Sequence, residues 1–352
     1  MNHCKVIGID TAKHSFALHG ADASGGTVFN KTLTRAKVLP FLSTQAPCTV
    51  ALECCGGSHY WGRAIRALGH DVKLIPANYV KPFVKRQKND ANDAVAVAEA
   101  ASRASMRFVA VKTRETQARA ALYRTRALFV QQRTQTANAI RSHLLEFGII
   151  CGRGFAALGK LRAALEDGTL KTLEPLPVSV PGTLAVLFDQ VERLTTQIDD
   201  CEAKMHAITA TDPDAKRYQT VPGVGPITAF ALLAFADDLT QFKNGREFAA
   251  WIGLTPREFS TGGQQRLGGI TKMGQRDLRY LVVQGGMALV RPRRRHFNEQ
   301  SPAIQEALVT KPKKVLAVAW ANKNARVLWA LTHHGTTYDH ARHASSKFIH
   351  QN

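Results

Sequence analysis

The first hundred residues contain three strand-like segments with no helix between them. They read CKVIGID, HSFALHG and GTVFNK, and a DASGG turn separates the second from the third. Short apolar runs rich in β-branched and aromatic residues and bounded by turn residues are typical of strands. A doubly wound nucleotide-binding fold alternates strands and helices from its first strand. Three consecutive strands at the start therefore argue against that fold.

The segments that follow alternate between helix and strand. An amphipathic segment covers 35–42, the strand CTVALE ends at Glu53, and a helix is expected near 61–68. The strand DVKLIP comes next, and a further helix should begin near Asn89 or Asp90. The predicted order is three strands, helix, strand, helix, strand, helix. This is the order of the ribonuclease-H-like fold.

Four acidic residues occupy special positions in this predicted order. Asp10 ends the first strand, Glu53 ends the fourth, and Asp90 and Asp93 open the helix after the fifth. The first and fourth strands of such a sheet are neighbours, and the later helix packs across them, so the four carboxylates should converge. They would repel one another without cations, and Mg²⁺ prefers carboxylate oxygens. We therefore predict a Mg²⁺ (or Mn²⁺) site, in which two metals could support a phosphoryl displacement.

Each of these acids, taken alone, has a simpler explanation. Asp90 or Asp93 could cap a helix, and Asp10 could bond a turn. An actin-like ATPase also ends its first strand in Asp, but it needs Gly-rich phosphate loops in two duplicated halves, and only one half is visible. The combination of positions favours the metal site.

The rest of the chain is predicted to be mainly helical. Arg119, Arg126 and Arg133 are seven residues apart in a long helical stretch, so they share one face. A regular apolar seam follows, which predicts an extended helix that packs against another helix, either of the same chain or of a second protomer. TDPD at 211–214 ends it. The seam consists of Leu184, Leu187, Val191, Leu194, Ile198, Cys201, Met205 and Ile208.

The charge of the chain points to nucleic acid. Lys and Arg number 47 against 27 Asp and Glu, a net charge of +20. The excess lies in two blocks, +10 in 102–164 and +12 in 241–352, on either side of an acidic block of −7 in 165–240. Two basic blocks suggest two nucleic-acid contacts. With no apolar run of membrane-spanning length, no secretory signal and six cysteines in no metal or disulfide pattern, we expect a cytoplasmic protein.

A set of motifs in order resembles a known family. GIDTAKHSF, ALECCGG, KNDANDAVAVAEA, VPGVGPITA, GLTPREFSTGGQQRLGGITKMGQRDLR and ANKNARVLWAL together look like the DEDD transposases of bacterial insertion sequences, RNA-guided DNA recombinases with a bridge-type guide RNA. The resemblance covers nearly the whole chain. It implies that the acidic tetrad falls on Asp10, Glu53, Asp90 and Asp93. It also implies a nucleophilic serine, which falls on Ser260; Thr261, directly before a glycine, is the alternative position.

The same resemblance implies a reaction and partners. Ser260 would form a phosphoserine link with donor or target DNA, and strand exchange would follow. The active sites would be shared between protomers of a homo-oligomer, from dimer to tetramer, with a non-coding guide RNA. VPGVGP is similar to a helix–hairpin–helix turn whose Gly223 and Gly225 let the backbone approach phosphates. The other predicted nucleic-acid contacts are Arg119, Arg126, Arg133, Lys272, Arg276, Arg293, Arg294 and Arg295.

The predicted fold class is thus α/β plus all-α. The predicted domains are a RuvC-like domain at 1–104, a helical coiled-coil domain at 105–212, a C-terminal transposase domain with the helix–hairpin–helix-like turn and Gly-rich serine loop at 213–333, and a tail at 334–352. Two other functions stay open at this point. One is a RuvC-like nuclease or Holliday-junction resolvase that uses metal-activated water, and the other is a non-catalytic nucleic-acid-binding scaffold.

Overall fold

The computed structural model describes residues 4–85, 89–170, 174–291, 307 and 309–339. The chain forms two compact units, residues 1–114 and residues 115–352. Within the described residues, no helix is long and apolar enough to cross a membrane.

A five-stranded sheet forms the centre of the first unit. Its order is β3-β2-β1-β4-β5, with β1–β2 and β2–β3 antiparallel and β1–β4 and β4–β5 parallel. The predicted succession of strands and the predicted pairing of the first strand with the fourth are both confirmed. The strands are β1 (Val6–Thr11), β2 (Ser15–Ala21), β3 (Thr27–Thr34), β4 (Thr49–Glu53) and β5 (Asp71–Ile75).

Helices cover both faces of this sheet. They are α1 (Val38–Ser43), α2 (Ser58–Arg66), α3 (Ala77–Val80) and α4 (Asp90–Ala101). Because side chains alternate along a strand, β1 and β4 supply apolar residues to both sides. Ile9 and Leu52 pack with Trp61 of α2 in one core. Val6 and Ala51 pack with the alanine-rich face of α4 in the other core.

The second unit is helical apart from one small hairpin. Its hairpin strands are exposed, which distinguishes them from the buried strands of the first unit. Its elements are α5 (Arg114–Leu145), α6 (Phe155–Glu166), α7 (Ser179–Thr211), α8 (Pro213–Gln219), α9 (Pro226–Phe235), α10 (Gly245–Ile252), β6 (Pro256–Glu258), β7 (Leu267–Ile270), α11 (Arg276–Val290) and α12 (Lys313–His334).

The long helices α5 and α7 pack against each other within the chain. The contacts run antiparallel, because Arg126 of α5 is bonded to Glu202 while Ala137, further along α5, shares a core with Leu184 at the start of α7. The apolar seam of α7 follows the prediction at six positions, but Phe188 and Thr209 are buried where Leu187 and Ile208 were expected. A helix of 3.6 residues per turn drifts away from a strict seven-residue repeat, which explains shifts at both ends.

In the second unit, the apolar helix α9 forms the centre of a large core. Every residue from Thr228 to Phe235 is buried, and α10, α11 and α12 contribute to the same core. Tyr123 of α5 and Met205 of α7 also belong to it. The long helices and the C-terminal helices therefore form one packed unit.

Candidate active site

Asp10 and Glu53 lie side by side at the ends of two parallel strands. The last register pair of β1 and β4 is Ile9 with Leu52, and each acid is the next residue of its strand. Because side chains alternate, Asp10 shares its face of β1 with position 8, and Glu53 shares its face of β4 with Ala51. That is the face covered by α4.

The helix α4 lies directly on β1 at Gly8. A Cβ atom on Gly8 would lie 2.2 Å from the carbonyl oxygen of Ala94 and 2.5 Å from the amide nitrogen of Ala98. Only a glycine allows this approach, since a side chain would push the helix away. The first turn of α4, which carries Asp90 and Asp93, is thereby held over the end of β1 where Asp10 lies.

The two aspartates of α4 are not its capping residues. Asn89 is the N-cap, and its side-chain oxygen accepts a hydrogen bond of 2.8 Å from the amide of Asn92. An Asn at this position satisfies one of the free amides of the first turn. The simpler explanation of Asp90 or Asp93 as a cap therefore does not apply.

The three other carboxylates act electrostatically on Asp10. Burial raises the pKa of the Asp10 carboxyl, and nearby negative charges raise it further. Those charges come, in decreasing order, from Asp90, Asp93 and Glu53, while a hydrogen bond from the Thr11 amide lowers the same pKa. The structure thus brings the three other predicted acids close enough to Asp10 to disfavour the ionised form of its carboxyl.

This donor set suits a hard divalent cation. Carboxylate oxygens are the ligands that Mg²⁺ prefers, and a cation would offset the repulsion that raises the pKa of Asp10. Within the described ranges, however, no three His, Cys, Asp or Glu side chains are gathered closely enough to enclose an ion. To bind an ion, the carboxylates would have to come closer together than they lie in this structure.

A contact beside the acids was not predicted. The hydroxyl of Thr11 lies 3.0 Å from the thiol of Cys55 and joins the segments that follow Asp10 and Glu53. These residues stand one and two positions after the acids, which is the only sequence signal for them. The contact ties together the ends of β1 and β4.

Ser260 lies in an exposed β-hairpin. Phe259 and Arg266 are joined by a backbone hydrogen bond of 2.8 Å, and Thr261 and Gln264 form an isolated bridge. The turn between them is Gly262–Gly263, with φ of +57° and +77°. Two residues with positive φ are typical of the tight turn that matches the twist of a hairpin. The loop predicted from its glycines is therefore a hairpin, with Ser260 near its tip.

The three arginines of α5 have partners within the second unit. Arg126 forms an ion pair with Glu202, and Arg119 lies 3.6 Å from Asp212. Arg133 bonds the Thr195 hydroxyl at 3.3 Å. These contacts give Arg126 and Arg133 a structural role between α5 and α7, and Arg119 one between α5 and the N-cap of α8. Their role in nucleic-acid binding stays a prediction.

The two glycines of VPGVGP have different surroundings. Gly223, with φ of +83°, faces Gly285 of α11, whose carbonyl oxygen would lie 2.8 Å from an added Cβ. Gly225 is the N-cap of α9 and has open space at the corresponding position. Gly223 is thus needed for packing, and of the two only Gly225 leaves room for a phosphate to approach the backbone.

Lys272 and Arg276 are exposed beside the serine hairpin in sequence. Lys272 has a positive φ of 57°, which is uncommon for a residue other than glycine. The turn is braced by Gly274, where a Cβ would lie 1.9 Å from the carbonyl oxygen of Trp251. Arg276 begins α11. The predicted contacts Arg293, Arg294 and Arg295 lie outside the described residues.

Comparison with known proteins identifies the family. Residues 7–149 match a transposase model of the DEDD type, and residues 215–301 match the model described as Transposase IS116/IS110/IS902 family. A probable family 20 transposase of Pseudomonas aeruginosa is 45% identical over 94% of this chain and 98% of its own length.

Two further relatives carry the name of an insertion sequence. The transposase for insertion sequence element IS1328 of Yersinia enterocolitica is 38% identical over 96% of this chain and 99% of its own length. The transposase for insertion sequence element IS1111A of Coxiella burnetii is 36% identical over 96% of this chain and 92% of its own length. The chain therefore belongs to the IS116/IS110/IS902 family of insertion-sequence transposases, enzymes that catalyse DNA cleavage and strand transfer and generally use divalent metal ions.

Proposed function

We propose that this transposase cuts and rejoins DNA with the four carboxylates of the first unit and the hydroxyl of Ser260. The observation that carries the proposal is the placement of Asp10, Glu53, Asp90 and Asp93 at one end of a RuvC-like sheet. Asp10 and Glu53 hold equivalent positions on parallel neighbours, and Gly8 lets α4 bring the other two acids to the same edge. Such convergence of like charges has no structural benefit in the absence of a cation.

We propose that these residues hold Mg²⁺ or Mn²⁺. Bound there, the ions would neutralise the phosphate and the oxyanion that develops as a strand is cut. The acids would close on the metal from a rigid frame, since two of them extend paired strands and two stand in the first turn of a capped helix. A site built on strands and a helix is more precisely held than one on loops.

We propose that Ser260 is the nucleophile. Its hydroxyl is exposed near the tip of a hairpin, where a DNA phosphate can approach it. Attack would form a bond from Ser260 Oγ to phosphorus and break the bond from phosphorus to one deoxyribose oxygen. The phosphodiester with serine would conserve the bond for rejoining to a new strand. This is the difference from a nuclease, in which water takes the place of the serine.

We propose that the protein binds donor DNA, target DNA and a guide RNA, and that it acts as a homo-oligomer, from dimer to tetramer. Lys272 and Arg276 are exposed, and the backbone at Gly225 has open space beside it, so phosphates can approach all three. These groups would contact the phosphates of the nucleic acid and would not distinguish one base from another. This suits a protein whose target is chosen by base pairing with a guide RNA. Sequencing the RNA that co-purifies with the protein tests the guide. RNA from beside the gene, with stretches that match donor and target DNA, is expected.

The serine proposal is tested by trapping protein on DNA. A labelled plasmid carrying the insertion element should yield a protein–DNA adduct that survives denaturation. The adduct should be absent in Ser260→Ala and retained in Thr261→Ala, the neighbouring hydroxyl as matched control. Asp10→Asn should also lack the adduct while still binding DNA. An adduct in Ser260→Ala, or cleaved DNA without adduct in the wild type, would reject the nucleophile.

A further inference from the structure

The hydroxyl of Ser260 has a carboxylate partner on its own strand. Ser260 Oγ lies 2.7 Å from Glu258 Oε1 and donates its hydrogen bond to it. A serine hydroxyl is a poor nucleophile until a neighbouring base accepts its proton. We propose that Glu258 is the general base for Ser260; the inference rests on the proposed role of Ser260 as nucleophile.

A second hydrogen bond fixes the direction of the proton. The backbone amide of Arg266, on the opposite strand of the hairpin, donates to Ser260 Oγ over 3.2 Å. A hydroxyl has one proton and two lone pairs. With one lone pair engaged by this amide and the proton pointed at Glu258, the second lone pair remains for phosphorus. The hairpin thus presents Ser260 in an orientation suited to attack.

The hairpin holds the two side chains on one face. Glu258 and Ser260 are two residues apart on an extended strand, so they point the same way. The strand is fixed on both sides of the serine by the Phe259–Arg266 pairing and the Thr261–Gln264 bridge. On the other face, Phe259 lies so close to Gly268 that a Cβ there would be 2.9 Å from the ring. The acid and the hydroxyl are therefore held in place by the fold of the hairpin.

Both groups are exposed, as the reaction requires. A DNA phosphate can reach Ser260 without rearrangement of the hairpin, and a carboxylate in contact with water can exchange its proton. A base must lie within about 2.6–3.2 Å of the atom that it deprotonates, and Glu258 meets this requirement.

In cleavage and in rejoining, one bond to phosphorus breaks for each bond that forms. Ser260 Oγ bonds to phosphorus, its proton passes to Glu258 Oε1, and the bond from phosphorus to a deoxyribose oxygen breaks. That oxygen takes a proton from water and leaves as a hydroxyl. In rejoining, the oxygen of a deoxyribose hydroxyl bonds to phosphorus and its proton passes to water. The bond from phosphorus to Ser260 Oγ breaks, and Glu258 returns its own proton to that oxygen. Both directions use the same carboxyl.

The substitution Glu258→Gln distinguishes the role of Glu258 as a base from its role as a hydrogen-bond acceptor. The glutamine oxygen can still accept from Ser260, but the amide cannot take the proton. The charge-matched control is Glu146→Gln, an exposed acid that follows α5. The experiment uses full-length protein with its co-purified RNA and measures adduct formation on the labelled plasmid under single-turnover conditions. Glu258→Gln should slow adduct formation by about 10²–10⁴-fold, with DNA affinity unchanged or higher, while Glu146→Gln should react like the wild type.

The outcomes distinguish this inference from the proposed function. Adduct formation by Glu258→Gln within about threefold of the wild-type rate would overturn the base assignment and leave Ser260 as the nucleophile. An adduct that persists in Ser260→Ala would overturn the proposed nucleophile itself. Circular dichroism of Glu258→Gln must match that of the wild type, and Glu258→Asp, which keeps a carboxylate on a shorter side chain, should recover part of the lost rate. Equal rates for the Asp and Gln variants would also reject the base.

Discussion

Asp10 and Glu53 extend neighbouring parallel strands by one residue beyond the register pair Ile9–Leu52. This relationship places two carboxylates side by side at the carboxyl ends of two interior strands, without any contribution from loops. The carboxyl ends of parallel strands are where such sheets bind ligands. The first turn of α4 adds two more acids there, so the polar edge of a largely apolar sheet becomes the candidate catalytic centre.

Loss of the Asp10 charge should stop cleavage without unfolding the protein. Asp10→Asn removes a proposed metal ligand, and we expect a loss of at least about 100-fold in DNA cleavage, comparable to removal of one charge-stabilising group. DNA affinity should stay close to that of the wild type. Filter binding and single-turnover cleavage measure the two quantities, and cleavage at the wild-type rate would exclude a role in catalysis.

The same substitution should change how stability depends on pH. Because the pKa of Asp10 is raised in the folded state, the folded protein gains stability from this carboxyl at low pH and loses it as the pH rises above the ordinary value of 3.8. In the absence of metal, Asp10→Asn should therefore be more stable than the wild type near neutral pH, with the difference vanishing in acid. Mg²⁺ should raise the melting temperature of the wild type and not that of the variant. Scanning calorimetry with and without EDTA decides this, and a variant less stable than the metal-free wild type at pH 7 would contradict it.

Gly8 should be intolerant of any side chain. Gly8→Ala places a methyl group about where the backbone of α4 now lies, which should cost about 1–3 kcal/mol of unfolding free energy and move Asp90 and Asp93 away from Asp10. Gly56→Ala is the control, because an added Cβ there meets open space. Urea denaturation and cleavage assays should show both losses in Gly8→Ala alone. Equal stability of the two variants would refute the close approach of α4.

Substitutions in the VPGVGP turn and in the part of α11 that packs on it should have different effects on stability and on DNA binding. In Gly285→Ala, the added Cβ atom would lie 2.0 Å from the carbonyl oxygen of Gly223, so this substitution should destabilise the second unit by about 1–3 kcal/mol. Gly225→Ala should leave stability almost unchanged and weaken non-specific DNA binding, if the backbone there approaches phosphates. Melting curves and fluorescence anisotropy measure the pair. Undiminished DNA affinity in Gly225→Ala would remove the turn from the DNA-binding surface.

Alanine substitutions of Arg126 and Lys272 should differ in their effects on stability and on the salt dependence of DNA binding. Arg126→Ala breaks an ion pair with Glu202 between α5 and α7 and should cost about 1 kcal/mol of stability. Lys272→Ala should leave stability unchanged and reduce the slope of log K against log salt by about 0.9, the value for one phosphate contact. Binding titrations from low to moderate salt test this. A larger salt effect from Arg126 than from Lys272 would assign the nucleic-acid surface to α5.

The sequence predicts the sheet and the acid positions well because both depend on local patterns. The strand β4 ends at Glu53 as predicted, and β1 continues one residue past Asp10 to Thr11. Both are largely buried runs with an acid at or next to the last residue, and the cap residue Asn89 marks the start of α4. The hairpin around Ser260 was not predicted, because its strands are short, exposed and rich in glycine, so they lack the apolar alternation that marks a half-buried strand.

The contacts between residues distant in the chain could not be predicted from the sequence either. The spacing of Arg119, Arg126 and Arg133 placed them on one helical face, but spacing does not say which surface that face meets. Their partners Asp212, Glu202 and Thr195 lie more than sixty positions away in the chain. The bond from Ser260 to Glu258 spans only two residues, and it depends on a strand that the sequence did not reveal.

Mass spectrometry that locates the covalent link between protein and DNA tests the role of Ser260 most directly. Wild-type protein, reacted with the plasmid that carries its insertion element and then digested with nuclease and protease, should yield a peptide with a nucleotide attached at Ser260. The modified peptide should be absent from Ser260→Ala and from Asp10→Asn. Cleaved DNA whose 5′ phosphates are all free, with no modified peptide, would contradict the account and indicate attack by water.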